Sequence, residues 1–146
     1  MRIYFDTCCL QRPLDDQTQL RIRVETEAVF SLLAAVEAGD LFMLGSEALE
    51  YEVSCIPDQA RQLEVLDVLS IAVERLEVTG AVESLALSFE QQGVQAMDAI
   101  HLACASMAKA DFFCTCDDKL LRKAQTISGL ECKTISLLGL VPEVSK

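Results

Sequence analysis

Five short, mostly apolar segments, Arg2–Phe5, Leu41–Leu44, Arg75–Val78, Phe112–Thr115 and Lys133–Leu137, alternate along the chain with stretches whose apolar residues recur at helical spacing. Strands separated by helix-length connections can pair in parallel, with the helices returning over the faces of the sheet. The spacing therefore predicts a three-layer α/β/α sandwich around a mainly parallel sheet of about five strands, in a single domain over residues 1–146. The clearest helix runs from Gln19 to Ala38, with Val29, Leu32, Leu33 and Val36 on one stripe and Gly39 as its stop signal. Ser46 caps a helix through Glu52, Asp58–Ser70 forms another with Leu63, Leu66 and Leu69 inward, and Thr79 caps one through Phe89. An Ala-rich helix follows over Ala96–Ala108, and a short one follows Asp117, while Thr7–Thr18 reads as a polar loop.

Composition narrows the class. The chain is 51% hydrophobic, too apolar for extended disorder, and no apolar run reaches membrane-spanning length. The N-terminal MRIYFDTCCL meets an acid too early for a secretory signal, and seven cysteines is an odd number. The expectation is a cytoplasmic protein with reduced thiols. Net charge is −11, but residues 26–110 hold three Lys+Arg against fourteen Asp+Glu, while the two ends are balanced. An acidic total thus leaves room for a local basic face.

Ligands of parallel sheets sit outside the carboxyl ends of the strands. Asp6 and Asp117 fall there, Asp98 opens the Ala-rich helix, and Glu52 lies deep in the helix capped by Ser46. Taken singly, each acid is an ordinary cap or surface charge. Converging, they would raise one another's pKa, and a divalent cation would relieve the repulsion. Oxygen-only donors suit Mg²⁺ or Mn²⁺. Glu47, Glu50 and Glu52 share one helical stretch, so only one faces a site.

The segments IYFDTCCL, SEALEYEV, AMDAIHLACA and FFCTCDDKLL resemble, in order and rough spacing, those of PIN-domain nucleases, and most closely the VapC-like toxin ribonucleases. The likeness runs from Ile3 to about Leu138. It implies a metal-dependent endoribonuclease with Asp6, Glu52, Asp98 and Asp117 as catalytic and metal-holding residues and Thr7, Thr115 and Asp118 in support. For the second motif the resemblance implies Glu52 by its spacing from Ser46, with Glu50 the fallback. It further implies a small antitoxin partner and a homodimer, for which the apolar Gln19–Ala38 helix is the candidate surface. Arg12, Arg21, Arg23, Lys119, Arg122 and Lys123 flank the first and fourth motifs and are candidate RNA contacts. The competing reading is a catalytically weak or inactive PIN-like protein–protein interaction module.

His101, one turn after Asp98, is expected to be a satisfied buried histidine rather than a general acid. Cys8, Cys9, Cys114 and Cys116 adjoin the first and fourth acids. Packing of small thiols is their default, and a redox or soft-metal site follows if they meet across the sheet. No phosphate-cradling glycine loop is present.

Overall fold

The structure, a computed structural model, describes residues 1–145. Its strands are β1 (Arg2–Phe5), β2 (Phe42–Ser46), β3 (Glu74–Leu76), β4 (Phe112–Cys114) and β5 (Lys133–Ile135). All pair in parallel, in the order β3-β2-β1-β4-β5. Consecutive strand residues point to opposite faces. Ile3, Tyr4 and Phe5 are nonetheless all buried, so helices cover both faces of the central strand. This is the three-layer sandwich the alternation predicts.

Among the described residues eight α-helices connect and cover the strands: α1 (Thr7–Gln11), α2 (Leu20–Glu37), α3 (Glu47–Ser54), α4 (Gln59–Leu69), α5 (Gly80–Gln91), α6 (Ala96–Met107), α7 (Asp118–Ala124) and α8 (Leu137–Val144). Local chemistry sets their starts. Ser46, Asp58, Thr79, Asp117 and Ser136 each accept a hydrogen bond from a first-turn amide of the helix that follows. Each such cap contributes about 1 kcal/mol. Gly39, just past α2, takes the left-handed φ of 83° that lets the chain reverse into β2.

Strands β3, β4 and β5 end at Leu76, Cys114 and Ile135, short of the expected Val78, Thr115 and Leu137, and four further features differ from the sequence expectation. Thr7–Gln11 is helical and Arg12–Leu14 is a 3-10 turn, because Asp6 caps the Thr7 amide and starts a turn directly off β1. Leu63 and Leu66 face solvent, and Val65 and Leu69, four apart on one stripe, carry the burial of α4. Residues Leu137–Val144 form α8 despite Gly139 and Pro142, packed along α2. Strand β2 begins at Phe42 and extends to Ser46, with Leu41 buried just before it.

The topology positions the site. Beyond β1 the chain fills one side of the sheet with β2 and β3, then crosses to the other side with β4 and β5. The strand order therefore reverses between β1 and β4, and the carboxyl ends at such a point are where these sheets bind ligands. Asp6 leaves β1 there and Thr115-Cys116-Asp117 leaves β4 beside it, with Asp6 N donating to Cys114 O at 2.9 Å. Helix α6 lies over the same end, its His101 ring 5.7 Å from that of Tyr4, which itself stacks on Phe113.

Candidate metal centre

Asp6 is fixed through both oxygens. Oδ1 accepts the Thr7 amide at 2.8 Å and Oδ2 accepts the Thr115 hydroxyl at 2.8 Å, with the Cys8 thiol at 3.5 Å. Thr115 Oγ1 also accepts the Asp117 amide at 3.1 Å, so one hydroxyl ties the β1 end to the β4 end. Asp6 is buried, and burial pushes its pKa well above the ordinary carboxylate value. Cys8 and the negative charge of Asp98 add to that rise, opposed by His101 and the Thr115 hydrogen bond.

Asp98, half-buried in the first turn of α6, makes no hydrogen bond or ion pair among the described residues. Its pKa is raised by burial, with Asp117, Glu52 and Cys8 adding and His101 opposing. Asp117 is exposed and caps α7, one oxygen accepting both the Lys119 and Leu120 amides.

Glu52 is the acid of α3 that reaches this group. Its Oε1 accepts the Thr7 hydroxyl and lies 3.0 Å from His101 Nε2, leaving Oε2 the oxygen available to a ligand. Burial works against the charged form, but the hydrogen bonds from His101 and Thr7 outweigh it and hold the pKa below the usual range. Glu50 points elsewhere, paired with Arg75 at 2.7 Å, and Glu47 accepts the Val78 amide at 3.1 Å. The three acids of this helix thus have separate partners.

His101 is fully buried, and both ring nitrogens are engaged. Because a carboxylate only accepts, we assign the proton to Nε2, donating to Glu52. Nδ1 then accepts the Tyr4 hydroxyl at 2.6 Å, and Tyr4 in turn accepts from Ser46 at 2.7 Å. Ser46 Oγ also caps α3 at Leu49 N. A directional chain therefore runs Ser46, Tyr4, His101, Glu52, from the end of β2 through the core to the site. Tyr4 and Ser46 were not legible as part of it, since nothing in their spacing marks a contact spanning 97 and 42 residues.

Asp6, Glu52 and His101 each offer a donor atom within 4.8 Å of the others. The two carboxylates, with Asp98 electrostatically coupled to both and Asp117 to Asp98, make an oxygen-rich group that fits a hard divalent cation. Burial, and to a lesser degree the neighbouring acids, push Asp6 and Asp98 above the ordinary carboxylate range, a repulsion that a bound cation would relieve. His101, with both nitrogens used, orients Glu52 in this arrangement.

A cleft of about 560 Å³ opens from Asp98 and Asp117 along Gly93–Gln95 and the exposed face of α7, where Lys119, Arg122 and Lys123 line it. None of these three cations makes an ion pair among the described residues, and neither does the exposed Arg23. The other two arginines are engaged. Arg12 bridges Asp15 at 3.0 Å and the buried Glu25 at 3.0 Å, and Arg21 holds Asp118 through two contacts of 2.8 and 2.9 Å. Glu25, in a stretch that sequence alone marks only as helical, is 4% exposed and is the hub of this network.

No protein-family model matches the sequence, nor does any curated protein. A solved structure does match. VapBC2 from Rickettsia felis, bound to a DNA fragment from its promoter, contains a chain that superimposes with a TM-score of 0.61. The match covers 93% of this chain and 98% of that one, at 14% identity. The fold is PIN-like. Among the described residues no helix is long and apolar enough to cross a membrane.

Proposed function

We propose that this chain is a divalent-metal-dependent endoribonuclease and the toxin component of a type II toxin–antitoxin pair, acting in the cytoplasm and opposed by a small antitoxin protein. The observation that carries the reading is the gathering of donor atoms of Asp6, Glu52 and His101 within 4.8 Å of one another, beside a cation-lined cleft that Asp98 and Asp117 border. The likeness to VapBC2 supports the toxin setting.

Asp6 and Asp98 are the principal ligands for Mg²⁺ or Mn²⁺, with Asp117 and Glu52 completing the set. Once bound, the ion supplies Lewis acidity for attack of water on the scissile phosphate and offsets its charge. The remaining work belongs to the chain's own groups. Thr115 aims Asp6, while Thr7 and His101 aim Glu52 and keep it ionised at neutral pH, ready to accept a hydrogen bond from the attacking water. Lys119, Arg122, Lys123 and Arg23 grip the flanking phosphates. Arg21, through Asp118, secures α7 and with it the Asp117 turn.

The net charge of −11 favours a second reading, an interaction module without turnover. Cleavage of a mixed RNA panel with Mn²⁺ separates the two. Cutting that disappears with EDTA and in Asp6→Asn supports the nuclease, and cutting that survives both sinks the proposed chemistry. No cutting together with no ion uptake transfers the assignment to the module.

A further inference from the structure

A second cluster, of thiols, adjoins Asp6 through Cys8. The sulfur atoms of Cys8, Cys9 and Cys116 all lie within 4.8 Å of one another, with Cys9 and Cys116 buried and Cys8 half-buried. Cys8 and Cys9 sit on α1, directly after β1, and Cys116 sits in the turn after β4, so the β1/β4 pairing brings together thiols more than 100 residues apart. Their other contacts are weak: Cys8 Sγ is 3.5 Å from Thr115 Oγ1 and from Asp6 Oδ2, and Cys9 Sγ is 3.4 Å from Cys114 O. No histidine belongs to the cluster.

We propose that Cys8, Cys9 and Cys116 form a three-sulfur site for a soft monovalent d¹⁰ ion, cuprous copper. Metal–thiolate bonds of about 2.3 Å place three sulfurs around one ion roughly 4 Å apart in a trigonal set, so closure of under about 1 Å completes the site. Thiolate donors select Cu(I) or zinc. Zinc requires a fourth donor in a tetrahedral arrangement; Cys114 adjoins Cys9 and Asp6 adjoins Cys8, but neither offers a donor within 4.8 Å of all three sulfurs. Cuprous copper is satisfied by three. On binding, the thiols release their protons to solvent. The guanidinium of Arg12, close enough to Cys116 for each to feel the other's charge, offsets the thiolate charge. The ion would join α1 to the β4–α7 turn, the two backbone segments that carry Asp6 and Asp117. The site takes no carboxylate as a donor, although Cys8 touches Asp6 Oδ2 at 3.5 Å, so ion retention is read without reference to RNA cleavage.

The test is anaerobic titration of the reduced chain with Cu(I) in competition with bicinchoninate, followed by alkylation and mass spectrometry. The expected result is one ion retained per chain, with Cys8, Cys9 and Cys116 protected while the exposed Cys55 stays reactive. Cys8→Ser and Cys116→Ser should each weaken retention at least about a hundredfold, and Cys55→Ser should leave it unchanged. The half-buried Cys8 makes its variant the one that folds most readily, and circular dichroism checks both. Failure to retain Cu(I), retention indifferent to Cys8→Ser, protection of other cysteines, or preferential uptake of Zn²⁺ in a parallel titration would each overturn the proposal.

Discussion

Tyr4→Phe removes one oxygen atom from the core and leaves nearly everything else in place. The ring keeps its stack on Phe113, 5.6 Å between centroids, and the site keeps all of its carboxylates. Two fully buried groups lose their partner: His101 Nδ1, which accepts from Tyr4 at 2.6 Å, and the Ser46 hydroxyl, which donates to it at 2.7 Å. An unsatisfied buried polar group costs about 1–3 kcal/mol, so the two together should cost roughly 2–6 kcal/mol. For a chain of this size that lowers the melting temperature by roughly 5–20 °C. Urea unfolding of the metal-free protein measures it directly, with Tyr51→Phe on the exposed face of α3 as a control expected within about 0.5 kcal/mol of wild type. A loss below about 0.5 kcal/mol for Tyr4→Phe would refute the directional chain and the tautomer assigned to His101.

Three further outcomes follow from the same geometry. Asp6 and Asp98 have folded-state pKa values above their unfolded ones, so the folded chain holds more protons. Their contribution to stability is therefore lost as pH rises from the ordinary carboxylate value through the folded values, while that of Glu52, with its lowered pKa, is lost as pH falls. Urea midpoints at pH 5 and pH 7 should show Mn²⁺ protecting most at the higher pH, by about 2.7 kcal/mol at a hundredfold excess over its Kd. Glu25→Ala strips the partner from Arg12 and one partner from Arg21, and should cost about 2–3 kcal/mol, short of a full buried-pair loss because Asp15 and Asp118 remain. Replacing Lys119, Arg122 and Lys123 together by Ala should weaken RNA binding and reduce its log–log salt slope by about 2, measured by fluorescence anisotropy across salt concentrations.

Periodicity and turn chemistry made most of the architecture legible, because parallel α/β folds write their layers into the alternation of strand and helix. Where signals were short or contradictory they misled. Five residues, TCCLQ, cannot display a helical period, and Gly139 with Pro142 argues locally against the helix that α2 stabilises by packing. Leu63 and Leu66 share a three-residue spacing with Leu69 but drift off its face, so a hydrophobic tally alone misassigned them. At the site, the acids could be nominated from their positions after strands. Their partners could not, since Thr7 with Glu52, Arg21 with Asp118 and Tyr4 with His101 meet only once the sheet order is known. The separation of Glu52 from Glu50 likewise rests on which has Thr7 and His101 beside it and which has Arg75.

In the proposed function Asp98 lacks a hydrogen-bond or ion-pair partner among the described residues because it holds a cation. Calorimetric titration of Mn²⁺ into wild type and Asp98→Asn at pH 7 tests this most directly. Saturable binding in wild type that weakens at least tenfold in Asp98→Asn, while the metal-free variant is about 0.5–1.5 kcal/mol more stable than wild type, is the predicted result. Equal binding by both proteins, or none by wild type, would contradict it.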